Sequence, residues 1–303
     1  MLCNFSQTIS SICNNEADYF LDKLNVVGVG RGYKIKNGFK TCQECIIVFV
    51  CKKLPSYCLC QNDLIPTLYK GIPTDVVESG NFRFQSLTGR VRPAPGGYSI
   101  GSTVIRNTAS IGCLVRDSKG EYILTCNHAI INEILEEGAN VMQPSLEDNG
   151  RAPEDIIGKV YKFIKLGKSN AFLKIVNYVD VALISISNRS FITPIIYYVG
   201  IPIGHGQAYL NQNVIKVGRT TEETIGQVTA LDVTIKIPFG EKNFKFAEQI
   251  ITTKMTEYGD SGSVLLNENK EVLGLTVGGT DSLSVYSRID TILRFLNVNI
   301  VTN

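Results

Sequence analysis

Short apolar runs separated by turn residues recur along the second, longer part of this 303-residue chain, and they constrain its fold more than any other feature. Most runs have the length of one strand, and almost none has helical periodicity. In chain order they are ASIGCLVR, GEYILTCN, DVALISIS, NVIKVGRT, GQVTALDVTIKI, QIITTKM, GSVLLN and EVLGLTVGG. This pattern indicates a mainly β domain, built as an antiparallel barrel or a sandwich. Only the closing RIDTILRFLNV has the spacing of an amphipathic helix.

The first part of the chain has a different pattern. EADYFLDKL predicts a short helix, and NVVGVGRGYKI and ECIIVFVCKKL predict two strands on either side of a turn at Asn37 and Gly38. TDVVES predicts a further strand. Residues 1–88 therefore predict a small α+β module. The Pro- and Gly-rich stretch LTGRVRPAPGGYSIG then indicates a boundary before a second domain at residues 89–303.

The charge balance limits the classes of partner. Charged residues make up 19% and apolar residues 44% of the chain, and the formal net charge is only +2. This balance is typical of a soluble globular protein and does not favour nucleic acid as a partner. The opening MLCNFSQTISSICNNEADYF lacks the cationic start and apolar run of a signal peptide, and no run is long enough to span a bilayer. We therefore expect a cytoplasmic protein without a membrane partner.

The spacing of the cysteines allows one possible metal site. Nine cysteines, an odd number, without a secretion signal indicate reduced thiols. Five of them lie close together: Cys42, Cys45, Cys51, Cys58 and Cys60. Their spacing can hold zinc, but Cys45 and Cys51 share the parity of one strand face and no second well-spaced pair follows, which favours a structural role. His205, in IPIGHGQAY, is expected in a loop rather than as a ligand. We predict no other metal site and no cofactor.

Three segments carry the residue types that amide hydrolysis by a hydroxyl needs: a base, a carboxylate that holds the base, and donors for the oxyanion. His128, one of only two histidines, ends the apolar run EYILTCNHAI and so emerges at a strand end. Asp180 interrupts the apolar run YVDVALISI, where a buried carboxylate needs a partner. Ser261 lies in EYGDSGSVLL, where Gly259 and Gly262 permit a tight turn that can point two N–H groups at one oxygen.

These segments together resemble the trypsin-like serine peptidases. LTCNHA is similar to the histidine segment of that family, VDVALI to its aspartate segment and GDSGS to its nucleophile segment, in the chymotrypsin order. SVYSRIDTILRFL resembles the last strand and closing helix, and VLGLTVGG the strand beside the substrate cleft. GIPTDVVE resembles the extension of some bacterial trypsin-like proteins. The resemblance covers residues 97–298 and implies two six-stranded antiparallel β-barrels, at about 97–195 and 196–290, with a C-terminal helix at about 289–298.

The resemblance also implies roles for single residues. His128 would be the general base and acid, Asp180 its orienting carboxylate and Ser261 the nucleophile, and the N–H groups of Gly259 and Ser261 would form the oxyanion hole. The cysteines that flank the histidine in secreted members are missing, and so is the IVGG-like start whose freed amine activates zymogens. Asp260 would then be held by an internal group. Each segment alone also fits a structural role, as a satisfied histidine, a turn aspartate or a hairpin serine.

The same resemblance indicates a substrate pocket. Six residues before Ser261, at the position of the pocket floor, stands Met255. The other expected pocket residues are Val277, Gly278, Gly279 and Ser284. A pocket of these residues would be neutral and shallow and would accept small or medium apolar side chains. Asp281 lies in the same loop, and its entry into the pocket would change the preference to Arg or Lys.

The sequence therefore predicts a serine endopeptidase that acts on proteins or peptides through an acyl-enzyme. The alternative from another class is a catalytically silent domain used for protein recognition, which an intact set of three residues disfavours. A further alternative is an enzyme that cuts only itself and releases residues 1 to about 90. Since an unrestrained peptidase endangers a cytoplasm, some control, such as a regulatory protein partner, is expected.

Overall fold

The structure is a computed structural model that describes residues 2–36, 38–80, 87–168, 175–239 and 242–303. The chain divides into two compact units, Met1–Gln85 and Ser86–Asn303. Within the described ranges, no helix has both the length and the hydropathy needed to cross a membrane.

The first unit is a four-stranded sheet with two helices. Its elements are α1 (Leu2–Asn15), α2 (Ala17–Leu21), β1 (Val26–Lys36), β2 (Phe39–Val50), β3 (Leu68–Tyr69) and β4 (Ile72–Glu78). The strand order is β1-β2-β4-β3; β2 and β4 run parallel, and the other neighbours run antiparallel. The predicted hairpin is present as β1 and β2, with Gly38 at φ +81°, whereas Asn37 lies outside the described residues.

Helix α1 is not predicted by the sequence pattern, because its Ser, Thr and Asn residues are modest helix formers. The helix buries Ile9 and Ile12, three residues apart on one face, in a cluster with Phe20, Ile46 and Val48. The free energy gained by burying this face against the sheet outweighs the modest helix propensity of the residues, so the helix forms.

The cysteines of the first unit occupy unlike environments. Cys45 is buried in β2, where desolvation raises the pKa of its thiol, and Cys51 lies half-buried just after the strand. Cys42, Cys58 and Cys60 are exposed. Among the residues that the structure describes, no three His, Cys, Asp or Glu side chains are grouped so that they could hold a metal ion.

The first half of the second unit is a closed antiparallel barrel. Its elements are β5 (Ala94–Gly96), β6 (Ser99–Ser102), β7 (Ala109–Ser110), β8 (Leu114–Arg116), β9 (Glu121–Thr125), α3 (Asn127–Ile130), β10 (Asn140–Met142), β11 (Ile156–Phe163), β12 (Ala182–Ile186) and β13 (Ile192–Ile196). The barrel sheet runs β8-β9-β12-β11-β10-β6-β7, and β5 pairs with β13 in a separate parallel sheet of two strands. Because β7 and β8 are two parts of one interrupted strand, their pairing with β6 and β9 closes six strands into a barrel.

The second half is also a closed barrel. Its elements are β14 (Gly204–His205), β15 (Asn213–Gly218), β16 (Glu222–Phe239), β17 (Lys242–Thr253), β18 (Val264–Asn267), β19 (Glu271–Gly279), β20 (Leu283–Arg288), α4 (Ile289–Leu296) and β21 (Asn299–Ile300). Strands β15 to β20 form a six-stranded sheet that the β19–β20 pairing closes, and β14 adds a short parallel edge. Strand β21 follows α4 and pairs with β8 of the first barrel. The predicted pair of six-stranded barrels with a C-terminal helix is thus confirmed.

One buried apolar cluster joins the two barrels, in addition to the cluster inside each of them. Val115 and Leu124 from the first barrel belong to the same buried cluster as Val264 and Leu275 from the second. Helix α4 adds its apolar face, as its spacing predicts, with Ile289, Ile292, Leu293 and Leu296. This shared core sets the distance between the barrels, and therefore between strand ends that come from both of them.

Candidate active site

Antiparallel strand pairing explains why His128 and Asp180 meet. Strands β9 and β12 are neighbours, with Thr125 opposite Ala182. The end of β9, which leads into α3 and His128, therefore lies beside the start of β12, which Asp180 precedes. Ser261 comes from the second barrel, in the nucleophile loop, defined here as residues 254–263 between β17 and β18.

Asp180 is fixed by three hydrogen-bond donors. Its Oδ1 accepts from the backbone N–H groups of Asn127 at 2.9 Å and His128 at 3.0 Å. Its Oδ2 contacts Nδ1 of His128 in a short hydrogen bond. The carboxylate is only 1% exposed. These contacts hold the imidazole in one orientation and favour the tautomer that carries its proton on Nδ1.

The other ring nitrogen of His128 faces the serine. Its Nε2 lies 3.1 Å from Oγ of Ser261, within hydrogen-bond distance. Burial lowers the pKa of the ring, but the facing carboxylate of Asp180 and the neighbouring Cys126 together raise it by more, so the pKa of His128 lies well above its ordinary value. The three predicted side chains therefore form one continuous chain of hydrogen bonds across the two barrels.

Two glycines with positive φ shape the backbone of the nucleophile loop. Gly259 has φ +97° and Gly262 has φ +86°, both in the left-handed region. The carbonyls of Gly259 and Ser261 accept from the side chain and the backbone N–H of Ser110, at 2.9 and 2.8 Å. Within the described part of the chain, the N–H groups of Gly259 and Ser261 have no acceptor. Both donors can therefore serve an oxygen of a bound substrate.

Asp260 is held by an internal cation, Lys216. The sequence analysis expects an internal group at this place but does not identify Lys216. The ammonium of Lys216 lies 3.3 Å from Oδ2 of Asp260, and both side chains are fully buried. Asp260 also accepts hydrogen bonds from Thr220 N–H, Thr221 Oγ1 and Glu257 N–H. Burial lowers the pKa of Lys216, and the carboxylate of Asp260 partly offsets this effect. The signal in the sequence was a lysine inside the apolar run NVIKVG.

A cleft of about 360 Å³ opens beside the serine. Val277, Gly278 and Gly279, which the sequence analysis assigns to a substrate pocket, line this cleft. Its apolar wall also includes residues that the sequence analysis does not assign to a pocket: Leu166, Ile237, Phe244 and Phe246. The alternation of Phe244 and Phe246 in β17 indicated one buried face, but only the tertiary structure brings that face to the cleft.

Met255 and Ser284 lie behind the cleft and do not line it, which corrects the sequence-based assignment. Met255 is 1% exposed, and its Sδ would be 2.6 Å from a Cβ at Gly226, so its side chain packs into the barrel core. The buried hydroxyl of Ser284 accepts from the N–H groups of Met255 at 2.9 Å and Thr256 at 3.0 Å. Asp281 is exposed and contributes to the cleft lining. His205 is exposed in the short edge strand β14.

The architecture of this chain is similar to that of several solved structures. No protein-family model matches the chain, and no curated protein matches it. Solved structures do match. Thermobifida fusca protease A is 21% identical, with 69% of this chain and 98% of that chain covered at a TM-score of 0.51. Cellulomonas bogoriensis chymotrypsin is 21% identical, with 69% and 98% covered at 0.50. A glutamic acid specific serine protease is 20% identical, with 68% and 99% covered at 0.51.

These three proteins are serine proteases, and their likeness to this chain extends over nearly their whole length. At such identities the likeness establishes the fold and does not transfer an activity. The second unit of this protein therefore has the chymotrypsin fold.

Proposed function

We propose that this protein is a serine endopeptidase that hydrolyses peptide bonds in protein or peptide substrates through His128, Asp180 and Ser261. The observation that carries the proposal is the unbroken hydrogen-bond chain from the buried Asp180 carboxylate through the imidazole to the Ser261 hydroxyl. This chain opens on a cleft with an apolar wall. A nucleophile, a base within hydrogen-bond distance and a group that orients the base are the elements of acyl transfer.

The geometry supports a definite sequence of steps. Oγ of Ser261 attacks the scissile carbonyl carbon while its proton passes to Nε2 of His128. The oxyanion accepts hydrogen bonds from the N–H groups of Gly259 and Ser261. His128 then donates the proton from Nε2 to the leaving amine, and an acyl ester on Ser261 remains. Water attacks the ester carbon and passes a proton to Nε2. The bond between the acyl carbon and Oγ of Ser261 then breaks, Nε2 returns the proton to Oγ, and the acid product leaves.

Activity is expected to fall as the pH is lowered, because only neutral His128 can accept the serine proton. An ordinary histidine has a pKa of about 6.5. Since the pKa of His128 is raised above its ordinary value, the midpoint of the loss should lie at a higher pH than the pKa of an ordinary histidine. The measurement is kcat/KM for a fluorogenic peptide from about pH 5 to about pH 9. A flat profile would contradict the assignment of His128 as base, and a midpoint below that of an ordinary histidine would contradict the raised pKa.

Substrate preference is expected to favour a small or medium apolar residue before the scissile bond. The cleft is lined by Val277, Gly278 and Gly279 and by an apolar wall. Discrimination among apolar residues should reach only about 1–3 kcal/mol, because methylene differences in an apolar pocket contribute little more. The measurement is kcat/KM for fluorogenic peptides that differ only at this residue.

The control for this prediction is Asp281→Asn, which removes an exposed carboxylate from the cleft lining. If Asp281 receives a cationic side chain, the wild type cleaves after Arg or Lys, and the variant loses that activity while its folding is unchanged. Efficient cleavage after Arg with none after Leu, Val or Ala would contradict the apolar preference.

A fluorophosphonate probe tests the proposal against a catalytically silent recognition domain, because it reacts covalently only with an activated serine. We expect labelling of the wild type and none of Ser261→Ala. An unlabelled, folded wild type would overturn the peptidase proposal and favour the recognition domain.

Mass spectrometry of the purified protein tests the self-cleaving alternative, because self-cleavage would release residues 1 to about 90 and lower the mass of the remaining chain. The cytoplasmic location and a regulatory partner stay predictions.

A further inference from the structure

The peptide unit between Tyr258 and Gly259 is held by a hydroxyl from outside the nucleophile loop. Oγ1 of Thr220 donates to the carbonyl oxygen of Tyr258 at 2.6 Å. A trans peptide is planar, and its N–H points opposite to its C=O. A carbonyl that is held toward Thr220 therefore directs the N–H of Gly259 the other way. This N–H is one of the two donors that the proposed function assigns to the oxyanion.

Thr220 contacts the same loop at two further points. Its backbone N–H donates to Oδ1 of Asp260 at 2.8 Å. A Cβ built on Gly259 would lie only 2.6 Å from Oγ1 of Thr220. The close approach of the hydroxyl thus requires glycine at position 259, in addition to the positive φ there.

The residue before Thr220 is tied to the first barrel by a bidentate ion pair. Nε of Arg219 donates to Oδ2 of Asp148 at 2.9 Å, and Nη2 donates to Oδ1. The side chains are only 16% and 5% exposed, so this pair is better shielded from water than a surface salt bridge. Asp148 is itself anchored by hydroxyl groups of the first barrel, from Ser99, Ser145 and Thr108.

A second connection joins Arg219 to the nucleophile loop through Ser110 of β7. The backbone N–H of Arg219 donates to Oγ of Ser110 at 2.9 Å, and this hydroxyl donates to the carbonyl of Gly259 at 2.9 Å. Side-chain contacts from both barrels thus converge on the two peptide units on either side of Gly259.

We propose that Thr220 is a positioning residue for the oxyanion hole and that the Arg219–Asp148 pair holds it in place from the first barrel. The inference rests on the proposed function, since it concerns one of the N–H groups that the reaction would use. Without the Thr220 hydroxyl, the Tyr258–Gly259 peptide can rotate and present its carbonyl oxygen, instead of its N–H, to the developing oxyanion.

The test compares Thr220→Val, which removes the hydroxyl and keeps the shape, with Thr220→Ser, which keeps the hydroxyl. Thr220 is exposed, so neither change disturbs the core. Thr229→Val is a matched control, because Thr229 Oγ1 also donates to a backbone carbonyl of the second barrel, that of Ile251 at 3.2 Å. We expect Thr220→Val to lower kcat about tenfold with KM within about twofold, because complete loss of an oxyanion donor lowers kcat by about 10²–10³-fold.

Thr220→Ser should restore kcat, and Thr229→Val should leave it unchanged. Arg219→Gln should lower kcat in the same way, and the double variant with Thr220→Val should lose less than the product of the two single effects. A Thr220→Val enzyme with wild-type kcat overturns the inference and leaves the peptidase proposal standing. If the wild type hydrolyses nothing, crystal structures of Thr220→Val and Thr220→Ser decide: an unrotated Tyr258–Gly259 peptide in both overturns the inference, and rotation in Thr220→Val alone supports it.

Discussion

Ser261→Ala is expected to lower kcat/KM for peptide hydrolysis by about 10⁶-fold, the effect of removing the nucleophile from a serine peptidase. Among the described residues, the Ser261 hydroxyl has one hydrogen bond, to Nε2 of His128, and the residue is partly exposed. Its removal therefore changes the chemistry and leaves the packing of the barrels intact. Thermal unfolding should show a midpoint close to that of the wild type.

The matched control is Ser185→Ala in β12, which removes the hydroxyl of a half-buried serine that donates to the carbonyl of Lys159 in β11 at 3.0 Å. This variant should keep wild-type activity. His128→Ala should lose nearly as much activity as Ser261→Ala, and the double variant should lose little more, because residues that act as one unit are not additive. A folded Ser261→Ala protein that retains most of its activity would refute the assignment.

Asp180→Asn is expected to lower kcat by about 10⁴-fold. The carboxylate of Asp180 accepts from Nδ1 of His128, and an amide at this position can instead donate to Nδ1 and leave the ring proton on Nε2. The serine hydroxyl would then face a donor and could not pass on its proton. The amide oxygen can still accept the N–H groups that now bind Asp180 Oδ1, so the fold should persist.

Asp232→Asn is the control for this substitution, because Asp232 is an exposed aspartate paired with Arg288 on the surface. Its kcat should equal that of the wild type. Steady-state kinetics of the two variants, with circular dichroism to verify folding, give the comparison. A loss of less than about tenfold in Asp180→Asn would contradict the tautomer role.

The local sequence pattern predicts a strand correctly where the buried residues of that strand are also the apolar residues of the pattern. The runs that contain β9, β12, β15, β18 and β19 read as strands because their apolar residues follow strand length and turn spacing. The pattern does not predict β11, because the register shift between Val160 and Lys162 interrupts its alternation and Gly158 lies in its interior. The pattern also does not predict helix α1, because its Ser, Thr and Asn residues are modest helix formers. The helix forms because one of its faces is buried against the sheet.

The residues that can carry the chemistry are recognisable in the sequence: one histidine at a strand end, one aspartate inside an apolar run and one serine between glycines. The surroundings of these three residues follow from the tertiary structure. Met255 and Ser284 lie behind the cleft, Phe244 and Phe246 form its wall, and Thr220 reaches the nucleophile loop. The reason is physical: chemical identity and local periodicity are properties of short segments. The direction of a side chain near a shared cleft depends on strand pairings and on contacts between barrels, which join residues far apart in the chain.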